Sequence, residues 1–127
     1  MRIKTIATAA SLAFAAYAAP VLVYGFDLSF LAQSPARYFS DADMNMMEAT
    51  VDKALDEAKD GESRTWRNDQ TGSYGSVKVV KSFSADGRHC RRIELDNHAK
   101  EAAKWDARSL MDMCKIGDIW KILALPD

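Results

Sequence analysis

Two cysteines and two histidines are the only thiol and imidazole groups in the 127 residues. They show no Cys-x-x-Cys and no His-x₃-His spacing, so the short-range ligand pairs of zinc sites are missing. A formal net charge of −1 provides no bulk field for nucleic acid. Thr71-Gly72-x-x-Gly75 lacks the full P-loop pattern and its Lys-Ser/Thr ending, so it reads as a turn. Carboxylates are common, yet no spacing sets two of them together as an acid–base pair. There is no internal repeat, and no low-complexity stretch beyond an alanine-rich start. These absences lead to the expectation of a protein that is not an enzyme, with no cofactor and no nucleic-acid partner.

Charge is present but uneven. Residues 41–60 carry seven acids and two lysines, a net of −5, and residues 61–95 carry seven Lys/Arg and four acids, a net of +3. The asymmetry fits an acidic helix lying near a basic sheet, or a surface for a charged partner. The candidate docking residues are Arg64, Arg67, Lys78, Lys81, Arg88, Arg91 and Arg92.

After a short basic start, Arg2 and Lys4, no charge occurs from Thr5 to Phe26. Those 22 residues, at about 1.5 Å each, are long enough to cross a hydrocarbon core of about 30 Å. Residues 1–26 therefore read as a signal anchor or transmembrane helix. Its N-terminus is expected in the cytoplasm of a bacterium and the remainder in the periplasm. Tyr24, Phe26 and Phe30 would form an aromatic belt at the far membrane interface. The alternative is a signal peptide cut after Ala16-Tyr17-Ala18, which would release a periplasmic or secreted envelope protein that binds a ligand or inhibits an enzyme. Residues 27–39, with Ser34-Pro35, read as a membrane-proximal linker, and 40–127 as the exported domain.

Ser40 is a candidate N-cap, with Asp43 three residues on in a capping-box arrangement. Met44, Met47, Val51, Leu55 and Ala58 recur at spacings of three and four, which predicts a helix of about 20 residues ending at Gly61. The period then shifts toward two. Thr65 to Arg67 is a short strand, 68–72 a turn, and Tyr74 to Phe83 a strand with Val77, Val79 and Phe83 on one face. Asp86-Gly87 is a hairpin turn leading into Arg88 to Leu95. Residues 99–114 fit a helix or a strand. Gly117-Asp118 turns into a last strand, Ile119 to Leu123. Trp66, Trp105 and Trp120 are expected to anchor the core between helix and sheet.

Asp86-Gly87-Arg88-His89-Cys90-Arg91-Arg92 looks like a thiol activated by basic neighbours. Adjacent side chains of a strand point to opposite faces, however, so His89 cannot serve Cys90 as a base. An even cysteine count in an exported domain favours a Cys90–Cys114 disulfide.

The exported part resembles the bacterial 17 kDa surface-antigen domain. The resemblance rests on Ala54-Leu55-Asp56-Glu57-Ala58 with Gly61, Trp66-x-Asn68, Thr71-Gly72-x-x-Gly75-x-Val77, Gly87-x-x-Cys90-Arg91 and Cys114-x-x-Gly117-Asp118-x-Trp120-Lys121-Ile122. Many members are lipoproteins with a glycine zipper, and this chain has neither an N-terminal cysteine nor a zipper. The resemblance implies an α+β fold, one amphipathic helix on a small antiparallel sheet of four to five strands, with residues 103–114 as a strand. It carries over no catalytic residue. Together these features predict a single-span inner-membrane protein with a protein-binding periplasmic domain. Its expected partners are the lipid bilayer and other subunits of a membrane complex, respiratory or photosynthetic, which it would serve as an accessory or assembly subunit.

Overall fold

The structure is a computed structural model that describes residues 22–23 and 34–123. Ser40 opens helix α1 (Asp41–Glu57) with a complete capping box. Its Oγ accepts from the Asp43 N–H at 3.1 Å, and the Asp43 carboxylate accepts from the Ser40 N–H at 3.0 Å. Met47, Val51, Leu55 and Ala58 of the apolar stripe are buried together with Ala54, with Met44 packed at their margin. The helix stops before the expected length, because Ala58 is already extended at ψ 146°. Gly61 is therefore not its cap. It sits in the next turn at φ +90°, where its N–H donates to the Val79 carbonyl.

The sheet is antiparallel throughout. Its main strands are β2 (Ser63–Asn68), β3 (Ser73–Ala85), β4 (Arg88–His98), β5 (Arg108–Ile116) and β6 (Ile119–Leu123), preceded by a two-residue β1 (Leu22–Val23). The order across the sheet is β1-β6-β5-β4-β3-β2. The expected α+β class holds: α1 packs on one face of the sheet. Trp66, Val77, Val79, Ile93, Leu95, Met111, Met113 and Trp120 meet the helix stripe in one apolar cluster. At the β3–β4 turn Asp86 and Gly87 both take positive φ, +52° and +74°, as a two-residue hairpin turn requires.

Four expectations are corrected. Phe83 does not share a face with Val77 and Val79. The β3–β4 register slips between Val79 and Lys81, so Phe83 pairs with Cys90 on the face turned away from α1. The fifth strand begins at Arg108 rather than 103. Before it, Lys100–Ala102 form a 3-10 turn, and the Trp105 N–H donates to the Ala102 carbonyl. Trp105 consequently leaves the core and lies 37% exposed, edge-on to Tyr38. Residues 34–39, expected as linker, are seated on the domain. Pro35 and Ala36 are buried, and Phe39 meets Trp66 edge-on at 5.1 Å.

Of the apolar N-terminal segment only Leu22 and Val23 are described. They are extended and paired with Leu123 and Ile122 instead of helical. Tyr24, Phe26 and Phe30 lie outside the described residues. Among the described residues no helix is long and apolar enough to cross a membrane.

Asp43 joins the helix start to the 68–72 turn. Its Oδ1 accepts from Asn68 Nδ2 at 2.8 Å and from Thr71 Oγ1 at 2.7 Å. Burial pushes its carboxyl up, but the Ser40 N–H, Thr71, Asn68 and Ser73 outweigh burial and hold it below the ordinary range. A pKa depressed on folding contributes stability above the unfolded value, and that contribution is lost as pH falls through the folded one. Asp43→Ala, which strips a cap and orphans buried Asn68, is expected to cost about 2 kcal/mol at neutral pH. Asp43→Asn should flatten the acid side of the stability curve. Urea unfolding at pH 7 and pH 3 checks both, and an unchanged acid slope in Asp43→Asn would refute the linkage.

Candidate functional site

Strand alternation and register decide which basic residues share a surface. The face turned away from α1 carries Arg67 on β2, Lys78 and Lys81 on β3, Arg88 and Arg92 on β4, Arg108 on β5 and Lys121 on β6. Glu94, Asp96 and Asp112 are the acids on its strands, so seven cations against three anions leave the strands a net of +4, while Asp69 and Asp106 in the adjoining turns meet Arg67 and Arg108 at 3.9 Å. Part of that charge is compensated locally. Arg92 grips Asp112 with two bonds, Nε to Oδ1 at 2.8 Å and Nη2 to Oδ2 at 3.1 Å. That hydrogen bond and the Asp112 charge push the Arg92 guanidinium pKa up. Lys81 lies 5.7 Å from the Phe83 ring.

Two members of the expected docking set are elsewhere. Arg64 points to the helix side and pairs with Glu62 at 2.8 Å. Arg91 is buried on the helix side, only 6% exposed. Its Nη1 donates to the carbonyls of Ala54 and Leu55 at 3.3 and 2.8 Å, Nε donates to Ser82 Oγ at 3.0 Å, and Nη2 meets Asp60 at 3.1 Å. Ser82, and after it Arg91, hold the Asp60 carboxyl below its ordinary range. Arg91 is thus the C-terminal clamp of α1. Arg108 and Lys121 join the face although the sequence reading omitted them. Lys121 could have been found from its alternation with Trp120, whereas Arg108 was hidden by the misplaced start of β5.

At the β2 end of this face a shallow cleft of about 390 Å³ is lined by Thr65, Arg67, Tyr74, Ser76, Asp96 and His98. Tyr74 and His98 stack at 4.6 Å and 11°, and the Arg67 guanidinium lies 5.4 Å from the Tyr74 ring. His98 Nε2 is 2.9 Å from Asp96 Oδ1. Beneath it Gly75 leaves no room for a side chain: a Cβ there would stand 2.7 Å from Trp66 Nε1 and 2.8 Å from Asn97 Oδ1. Arg67, Tyr74 and His98 thus form one continuous stack along the cleft, a cation over two rings.

Cys90 and Cys114 face each other across β4 and β5 and form a disulfide, with S–S 2.05 Å. His89 is on the other side of the sheet, edge-on to Trp120 at 5.6 Å. The apparent thiol–imidazole dyad therefore dissolves, as strand alternation predicts. Among the described residues no group of three His, Cys, Asp or Glu stands together as a metal site.

Residues 53–107 match the family model described as 17 kDa outer membrane surface antigen. The 17 kDa surface antigens of Rickettsia bellii and of its strain RML369-C are each 36% identical over 52 residues. That stretch is 40% of this chain and 33% of each antigen, so the chain spans about a third of the length of the curated relatives it matches. No solved structure matches the chain. The similarity to 17 kDa surface antigens thus runs from the second half of α1 to the threshold of β5. The match ends before Cys114, so the disulfide is established by the strand register rather than by similarity.

Proposed function

We propose that this chain is a non-enzymatic protein of the bacterial envelope whose surface-antigen-like domain binds another protein. The observation that carries the reading is the net +4 carried by the strands on the sheet face turned away from α1. A rigid sheet that holds an excess of positive charge in fixed rows steers and orients an acidic partner. With its N-terminal segment kept as an inner-membrane anchor, the chain would serve as an accessory or assembly subunit of a larger membrane complex. Purification in mild detergent at native expression level tests this. Other subunits are expected to co-purify, and to be lost with Lys78→Glu/Lys81→Glu. A chain that runs alone contradicts the reading.

A second reading, cleavage after Ala18, is favoured by β1. Leu22 and Val23 are paired into the sheet, which leaves Thr5 to Val21 for a span. Those 17 residues sit at the lower limit of about 17 for crossing a bilayer, and they include Pro20. Mass spectrometry of the mature N-terminus separates the readings, because loss of residues 1–18 leaves β1 intact and removes the anchor.

A further inference from the structure

β2 is a free edge of the sheet: among the described strands it pairs with β3 alone. The Glu62 carbonyl accepts from the Val79 N–H at 3.0 Å, and the register continues from Ser63↔Lys78 to Asn68↔Ser73. Antiparallel pairing alternates, so the backbones of Arg64, Trp66 and Asn68 turn toward β3. The N–H and C=O groups of Ser63, Thr65 and Arg67 turn outward, and all three residues are exposed. Beside this edge, on the helix side, lies a groove of about 390 Å³ lined by Met46, Ala49, Thr50, Lys53, Arg64 and Trp66. Met46 is 40% exposed there, without the burial its neighbour Met47 has.

A strand added at this edge would run about 4.8 Å from β2. Alternate side chains would enter the groove, and the others would lie over Arg67 and Lys78 on the basic face. We propose that β2 is a strand-addition site for an extended segment of a partner protein, with apolar side chains toward the groove and acidic ones toward the basic face. Main-chain bonds supply affinity in such a mode, and alternate side chains supply specificity. Charge selects the occupant. β2 itself carries two arginines and no acid; Glu62 and Asp69 at its ends meet them at 2.8 and 3.9 Å, and pairing with a second copy would still set four arginines along one seam. Lys53 at the groove rim has no ion pair among the described residues and adds to the preference for acid.

This inference rests on the protein-binding reading and says where and how the partner binds. The test selects a displayed library of random nine-residue peptides on the full chain in detergent. The enriched peptide is then titrated against wild type, Thr65→Pro and Lys78→Glu/Lys81→Glu. Proline at 65 removes an outward N–H and leaves the β2–β3 ladder intact. The expected result is an alternating apolar–acidic peptide whose binding falls at least tenfold in Thr65→Pro and less in the double variant. A peptide weakened by the double variant alone overturns strand addition while the protein-binding reading stands. No enrichment, or a dimer in sedimentation that Thr65→Pro dissolves, also overturns it.

Discussion

Replacing Arg91 with alanine is expected to lower the unfolding free energy by about 3 kcal/mol, a value belonging to buried charged clamps and not to surface arginines. Four hydrogen bonds leave this one guanidinium, and two go to the end of α1. The last carbonyls of a helix lack intrahelical partners. Ala54 O also accepts from the Ala58 N–H at 3.0 Å, so it keeps a partner when Arg91 is gone. Leu55 O loses its bond at 2.8 Å and stays beside the core, unpaired. Asp60, 52% exposed, returns to water and adds little. Arg91→Lys should recover less than half of the loss, because one ammonium cannot span the helix end and Ser82 together. With a urea m-value near 2 kcal/mol/M, the alanine variant's midpoint should drop by about 1.5 M. A change within about 0.5 kcal/mol, the usual surface range, would show that α1 ends without this clamp.

Arg91 and Arg92 show what was legible and what was not. The alternation Arg91-x-Ile93-x-Leu95 was visible in the sequence, and both apolar residues are buried. Read by period two, it places Arg91 inside and Arg92 outside. The charge pattern obscured this, because an arginine beside another arginine looks like solvated surface. The helix stripe was legible because 3.6-residue periodicity survives any tertiary context that buries one face. The hairpin at Asp86-Gly87 was legible because its positive φ values demand those residue types. The Val80 bulge was not, since Val77-Lys78-Val79-Val80-Lys81 contains no glycine to mark it. One extra residue there exchanged the faces of everything up to the hairpin turn, Phe83 included. Trp105 was misread for a related reason: alternation over five residues is satisfied by chance, and local 3-10 bonding took precedence. As for the site, residue types picked out most of the basic face, but its membership depended on register. The groove beside β2 was illegible, because it is made by the approach of two elements and not by either sequence alone.

Reducing the Cys90–Cys114 bond should lower stability by about 3.5 kcal/mol with the fold retained. The cysteines are 24 residues apart. Closing a loop of that size restricts the unfolded chain, and the chain-entropy relation supplies the estimate. The native state has little need of the bond for its geometry. Cys90 and Cys114 are directly opposite in a β4–β5 ladder that runs on through Arg92↔Asp112 and Ile93↔Met111 to Asp96↔Arg108. Loss of the covalent link therefore leaves the backbone bonds and the core cluster in place. For a domain of this size 1 kcal/mol moves the melting midpoint by about 4–8 °C, so reduction should lower it by about 20 °C. The far-ultraviolet circular dichroism of the reduced, unheated protein should match that of the oxidised form. Cys90→Ala/Cys114→Ala should melt at or slightly below the reduced wild type, because two buried sulfurs are also removed. Cys90→Ser alone leaves Cys114 as a buried free thiol, which should react with a thiol reagent in denaturant and not in the folded protein. If oxidised and reduced proteins melt within a few degrees of each other, the unfolded chain is already compact across residues 90–114, and the entropic account fails.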